Sequence, residues 1–256
     1  MEQYLAQVPL VLLISSRIGG VTATSPLFRN QFIPPALRAA LTLLLGVILL
    51  PVAEGQVPAS LLTQSGLLAG CVLELLVGLL MGLISQFTFA AVQMAGTLID
   101  IDMGFMNASV FDPVSGRSEP LFSSFMQSLA LTIYLGLNGH HWLLRALALS
   151  YEAVPAGGLA VTAEVPLHVV SAFGGLLAAA VQMVLPFTAT MLLFSVALAG
   201  ISRAVPQLHI FAVGIGAKTV VGLAVAALLI PYLLGSLEPL FAKGHAELLN
   251  TLDLMR

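Results

Sequence analysis

From Leu61 to Ile99 the chain runs 39 residues with one formal charge, Glu74. As a continuous helix this run reaches about 58 Å, against a bilayer hydrocarbon core of about 30 Å. It is therefore predicted to break, to fold back or to leave the membrane. Val165–Ser202 repeats the excess, with a protonatable His168 as its one titratable group, and Pro186 near its middle predicts a kink or hairpin. Apolar runs at Tyr4–Thr24, Ala36–Ala53, Leu121–Ser150 and Ile210–Gly235 complete the pattern. With 59% hydrophobic and 8% charged residues, a soluble fold would lack the polar side chains to coat its surface, since soluble domains carry roughly 25% charge. The predicted fold class is all-α, an integral membrane helical protein with long, broken or hairpin-forming apolar helices, organised as one domain over 1–256.

Charge and cysteine content exclude several function classes. Nine basic and twelve acidic residues are scattered without runs, for a net charge of -3. No nucleic-acid footprint or polybasic lipid patch follows from that distribution. The single cysteine, Cys71, rules out an internal disulfide framework and a multi-cysteine metal site. Glu2 and the lack of a basic residue before Val8–Ile14 argue against a cleaved signal.

Gly66, Gly70, Glu74, Gly78 and Gly82 recur every four residues. Such a row suits a close ridge-in-groove helix crossing, with glycines letting backbones approach. An ionised Glu74 facing lipid would cost about 2.5 to 3.5 kcal/mol at a helix centre, so it is expected to face protein. Its role is either a structural carboxylate satisfied by a hydroxyl, amide or basic group, or a proton relay.

Asp100 and Asp102 are read as solvating or capping a helix end, because residues two apart on a helix point to different sides. His140 and His141 are expected to diverge, and neither HExxH nor HxxxH occurs, so no metal is predicted. Gly214-Ile215-Gly216-Ala217-Lys218-Thr219 fails the phosphate-binding loop pattern, because Ala217 and Ala212 stand where glycines are required. No GxSxG elbow appears. No catalytic residue and no cofactor is predicted. Arg17, Arg38, Arg145, Arg203 and Lys218, inside or beside apolar runs, are expected to snorkel.

Two segments depart from the helical pattern. Met103 to Pro120 mixes Met103, Gly104, Phe105, Met106 and Phe111 with Asp112, Pro113, Arg117 and Glu119. It is either an exposed connector or a loop packed in a protein-lined cavity, where irregular backbone is permitted at membrane depth. From Leu237 to the end, Leu237, Leu240, Phe241, Leu248, Leu252 and Met255 recur at mostly helical spacing. They predict a short amphipathic tail over 237–256 whose apolar face meets a membrane surface or a partner.

An ordered set of motifs spans nearly the whole chain: Gln93-x-x-Gly96 through Met103-Gly104 to Asp112-Pro113; Asn138-Gly139-His140 with Ser150 and Pro155; Arg203-x-x-Pro206-Gln207 followed by Ile210-Phe211 and Gly214. With Arg17, Pro26, Arg38 and the Glu74 glycine row, these residues resemble the FliR family of flagellar biosynthetic proteins, the R/T subunits of type III secretion export gates. His209 and Gly214-Ile215-Gly216 depart from the family pattern. The resemblance implies a non-enzymatic subunit in the bacterial inner membrane. It would assemble with P-type and Q-type membrane subunits and other export-apparatus components into a pore for unfolded flagellar proteins, and the 103–120 loop would be its plug. An injectisome homologue and a proton-coupled secondary transporter are the alternatives.

Overall fold

The computed structural model describes residues 2–28, 33–53, 64–105, 120–158, 163–204 and 210–255. The described residues are almost all helical, with no strand among them: α1 Glu2–Thr24, α2 Pro35–Ile48, α3 Leu50–Ala53, α4 Gln64–Met103, α5 Leu121–Gly136, α6 Gly139–Ala153, α7 Glu164–Ala204 and α8 Ile210–Leu254. Ser65–Met103, Glu164–Ala204 and Gly214–Leu254 are long and apolar enough to cross a membrane. The fold is thus an all-α membrane protein.

The long helices differ from the sequence expectation. α4 runs unbroken for 40 residues, and α7 runs for 41 residues straight through Pro186 with no hairpin. α8 likewise contains Pro231 and Pro239 over 45 residues. An interior proline costs about 3 kcal/mol in water, where solvent can take the freed backbone groups. In apolar surroundings a full turn would expose many more such groups, so continuing the helix is the cheaper solution. Leu121–Ser150 does break, at Leu137–Asn138, where Asn138 adopts a left-handed φ of 59°. Asparagine tolerates that conformation better than most residues.

The predicted short tail is instead the last part of α8. Its apolar positions are covered by the protein itself, with Leu237, Leu240, Phe241, Leu248, Leu252 and Met255 all buried. The membrane-surface or partner role expected of that face therefore has no free surface to act through.

The chain divides into two compact units. Unit 1 holds residues 1–88, 138–174 and 242–256, and unit 2 holds 89–137 and 175–241. In unit 1 the core joins Leu10, Ile14, Ile18 and Val21 of α1, Val77, Met81 and Ile84 of α4, Leu143 and Leu147 of α6, and Leu248 and Leu252 of α8. Helical spacing on each element builds this core, as one apolar stripe per helix. In unit 2, Phe89, Tyr134 and Phe241 form an aromatic triangle with ring centroids 5.1 to 5.4 Å apart.

The glycine row of α4 governs how closely α1 approaches in unit 1. Arg17, Gly20 and Thr24 meet Glu74, Gly78 and Gly82 in the same order along the two helices. A methyl group on Gly20 would lie 2.5 Å from the Leu75 carbonyl oxygen, and one on Gly78 would overlap the Arg17 carbonyl. These obstacles are backbone and cannot swing aside. Gly78→Ala should therefore lower stability by about 2 kcal/mol or more through overpacking. Gly174→Ala, in α7 with open space around it, should be neutral or stabilising by up to about 1 kcal/mol. Thermal unfolding of the two purified variants against the parent checks both; equal midpoints would show that the crossing tolerates a side chain.

Candidate functional site

Arg17 is the one formal charge of the Tyr4–Thr24 run and Glu74 that of the Leu61–Ile99 run, and α1 and α4 bring them together in the core of unit 1. Arg17 Nε donates to Glu74 Oε2 at 2.6 Å, and the second guanidinium arm donates to Oε1 at 3.0 Å. The geometry is the two-pronged fork that matches a carboxylate best. Arg17 also donates to the Ser150 hydroxyl at 2.9 Å and to the Val154 carbonyl at 2.9 Å. Its Cζ lies 4.0 Å from the centre of the Tyr151 ring, a cation–π distance. The Tyr151 hydroxyl donates to the Ile14 carbonyl at 3.4 Å. Arg17 is 0% exposed and Glu74 1%, so the expectation that Arg17 snorkels is corrected. It is too deep for its head to reach water, and its charge is satisfied inside the protein.

Glu74 has a third partner. The backbone N–H of Gly157, in the turn after α6, donates to Oε1 at 2.8 Å. Gly157 has a φ of 74°, a conformation that favours glycine. One carboxylate thus ties α1, α4 and the connection after α6 in a single network. A carboxylate has about four acceptor sites and Glu74 fills three of them with the arginine fork and the amide, an arrangement that favours the structural role over a proton relay.

A second acidic group organises unit 2. Asp100, in the last turn of α4, accepts from the backbone N–H groups of Phe122 and Ser123, both at 2.9 Å. Those amides open α5, where Pro120 supplies no side-chain cap and the first turn has unsatisfied donors. Asp100 is fully buried, so it caps a neighbouring helix and does not solvate its own. Gly96 permits the approach, since a methyl there would lie 2.5 Å from Ser123 Cα. The Ser123 hydroxyl donates to the Gln93 carbonyl at 3.0 Å. The Gln93-x-x-Gly96 motif and Asp100 together fix where α5 begins.

Of the loop residues singled out from sequence, Met103 is buried, Gly104 has a φ of 81° and Phe105 is half-buried. Met106, Phe111, Asp112 and Pro113 lie outside the described residues. Gly70 is buried and Gly66 half-buried. Arg203 is exposed at the end of α7, Pro206 and Gln207 lie outside the described residues, and Phe211 is in the first turn of α8. His140 and His141 do not diverge: their rings lie 4.2 Å apart at the start of α6. No group of three or more metal-ligating side chains occurs among the described residues.

Breaking the pair by one side should be costlier than removing both. Glu74→Leu leaves a buried guanidinium uncompensated, a loss of about 3 to 5 kcal/mol, and Arg17→Met is equivalent. Glu74→Gln keeps an acceptor and similar volume. Folded protein recovered from membranes should fall in the order parent, Glu74→Gln, then Glu74→Leu and Arg17→Met together. The Arg17→Met/Glu74→Leu double variant should exceed either of those two singles; quantitative immunoblotting that found it worse than both would mean the charges are not coupled.

A family model described as bacterial export proteins, family 1, matches residues 8–244. The chain is 34% identical to the flagellar biosynthetic protein FliR of Bacillus subtilis over 219 residues, covering 83% of each chain. It is 28% identical to FliR of Escherichia coli over 243 residues, covering 94% of this chain and 92% of the relative. Against FliR of Aquifex aeolicus it is 28% identical over 221 residues, covering 86% and 85%. These matches, on a helical membrane fold, establish that the chain belongs to the bacterial export proteins, family 1, as a FliR-type membrane component of the flagellar export apparatus.

Proposed function

We propose that this protein is a non-enzymatic subunit of the export gate, assembling with P-type and Q-type membrane subunits in the bacterial inner membrane to form the pore through which unfolded flagellar proteins leave. The observation that carries this reading is apolar helix surface in excess of what a bilayer covers. The most apolar windows of α7 and α8 are only 17% and 22% buried within the chain. α7 is 41 residues long and α8 45, which as helix reach about 60 to 68 Å, twice the bilayer core. Leu167, Val170, Leu192, Leu193, Val220 and Leu228 are among the residues left exposed. Apolar surface that lipid cannot reach is stabilised by helices of other subunits.

The buried carboxylates support a structural and not a transport role. Glu74 and Asp100 accept from an arginine and three backbone amides. Within the proposed gate the 103–120 loop is the plug. Its Met and Phe side chains suit a constriction that closes by dewetting and still yields to a polypeptide.

Two outcomes test this reading. Expressed alone the protein should be heterogeneous, and with P-type and Q-type partners it should give one stable complex; a monodisperse, stable protein obtained alone would contradict the assembly. Deleting Asn107 to Ser118 should leave the complex assembled while making overproducing cells leaky to small ions. An assembled deletion complex with unchanged conductance would remove the plug role.

A further inference from the structure

The Asn138-Gly139-His140 motif opens α6 and takes no part in the Arg17–Glu74 network or the Asp100 cap. Its histidine has aromatic and basic neighbours. The His140 and His141 rings lie 4.2 Å apart, and the ring of Trp142, the chain's single tryptophan, lies 5.5 Å from that of His245 in α8. Arg145 stands four residues after His141 and three after Trp142, so it borders both on the α6 surface. All five residues belong to unit 1. The sequence has no basic run, yet the fold gathers these groups around one indole.

Positive charge in this cluster is not cancelled from within. His141 and Arg145 are exposed, and neither joins an ion pair among the described residues. The one acidic side chain of α6 is Glu152, two turns past Arg145, and the closest to His245 along α8 is Glu247, which lies 3.3 Å from His168. His140 Nδ1 is buried with no hydrogen-bond partner among the described residues. Orphaned buried donors are rarer than orphaned acceptors, so the neutral ring carries its proton on Nε2 and offers that nitrogen as the donor.

The flanking runs indicate depth. Thr219–Leu237 in α8 is 19 residues without a charge, about 28 Å of helix and close to the bilayer core of about 30 Å. Glu238, Lys243 and His245 follow it. α5 is likewise uncharged, and His140 comes four residues after its end. A tryptophan among basic side chains just past such runs is what the headgroup level of a membrane favours.

We propose that His140, His141, Trp142, Arg145 and His245 form a binding site for the headgroup of an anionic phospholipid. The Arg145 guanidinium matches the phosphate as a two-pronged donor, and the imidazoles of His140 and His141 supply further N–H groups. Trp142, backed by the His245 ring, sits at the boundary between headgroup and acyl chain. The uncompensated charge selects an anionic over a zwitterionic lipid. The site rests on the membrane fold and on unit 1, and it does not require the pore.

Trp142 is its own reporter, because the chain has no second tryptophan. The full chain is reconstituted in phosphatidylcholine vesicles that contain a small fraction of either phosphatidylglycerol or phosphatidylcholine with brominated acyl chains. Brominated phosphatidylglycerol should quench Trp142 fluorescence several-fold more than brominated phosphatidylcholine. Arg145→Gln should bring the two lipids to parity, with a circular dichroism spectrum that matches the parent. Arg145→Lys should keep most of the preference, since a point charge still attracts phosphate. Arg203→Gln, which removes an exposed cation outside the cluster, should leave it unchanged. Equal quenching by the two lipids in the parent, quenching by neither, or a preference that survives Arg145→Gln would overturn the site. A preference lost equally in Arg203→Gln would reduce it to general charge attraction and overturn it too. Loss of the preference on adding inorganic phosphate would show a free-anion site, and loss on adding polyglutamate a surface for an acidic protein segment; either result contradicts the lipid assignment.

Discussion

A guanidinium and a carboxylate buried in the core constrain unit 1 more than any apolar contact does. Apolar packing is non-directional and tolerates a shifted helix. A desolvated charge does not, because any displacement that opens the fork leaves an uncompensated ion in a low-dielectric interior. Arg17 uses four donor bonds and a ring face, and Glu74 accepts from two chain segments besides lying in α4. Three separate stretches of sequence are thereby held in one register. Such a pair adds little net stability over well-packed hydrophobes. Its contribution is to exclude alternative helix arrangements in a chain whose surfaces are otherwise similar.

Glycines make the pair possible. A fork at 2.6 Å requires two helix backbones to approach closely, and the row through Gly78 and Gly82 against Gly20 provides that approach. In unit 2 the same logic recurs with Gly96 under Ser123 and Gly222 under Met103. There the polar groups gathered by the close approach are the Asp100 cap and the bond from the Thr219 hydroxyl to the Met103 carbonyl. Each unit thus joins close small-residue contacts to buried or part-buried polar groups.

The helices and the burial of Glu74 were legible from composition and spacing, because an apolar run of known length with one charge admits few arrangements. The partner was harder to read. Arg17 stands alone in its run just as Glu74 does, and pairing the two lone opposite charges points to the network, whereas each basic residue taken separately points to snorkelling. Helix continuity is illegible for a different reason. Pro186 breaks helices in water, and its effect in apolar surroundings depends on whether the chain has any other partner for its carbonyls. The tail face at Leu237 to Met255 was recognised as apolar, but periodicity does not say what covers a face. Asp100 was placed at a helix end, and only the tertiary fold shows that the end it caps belongs to α5.

The amide of Gly157 offers the most direct test of the central claim that Glu74 locks unit 1 as a structural acceptor. It lies in a turn, is only part-buried, and its bond goes to the Glu74 carboxylate at 2.8 Å. A turn amide at that depth would ordinarily exchange with solvent through small local openings. Hydrogen exchange resolved at this amide in the intact complex should show it as protected as the core amides of α4, and unprotected in Glu74→Ala. Rapid exchange in the unmodified protein, at the rate of neighbouring exposed turn amides, would contradict the account.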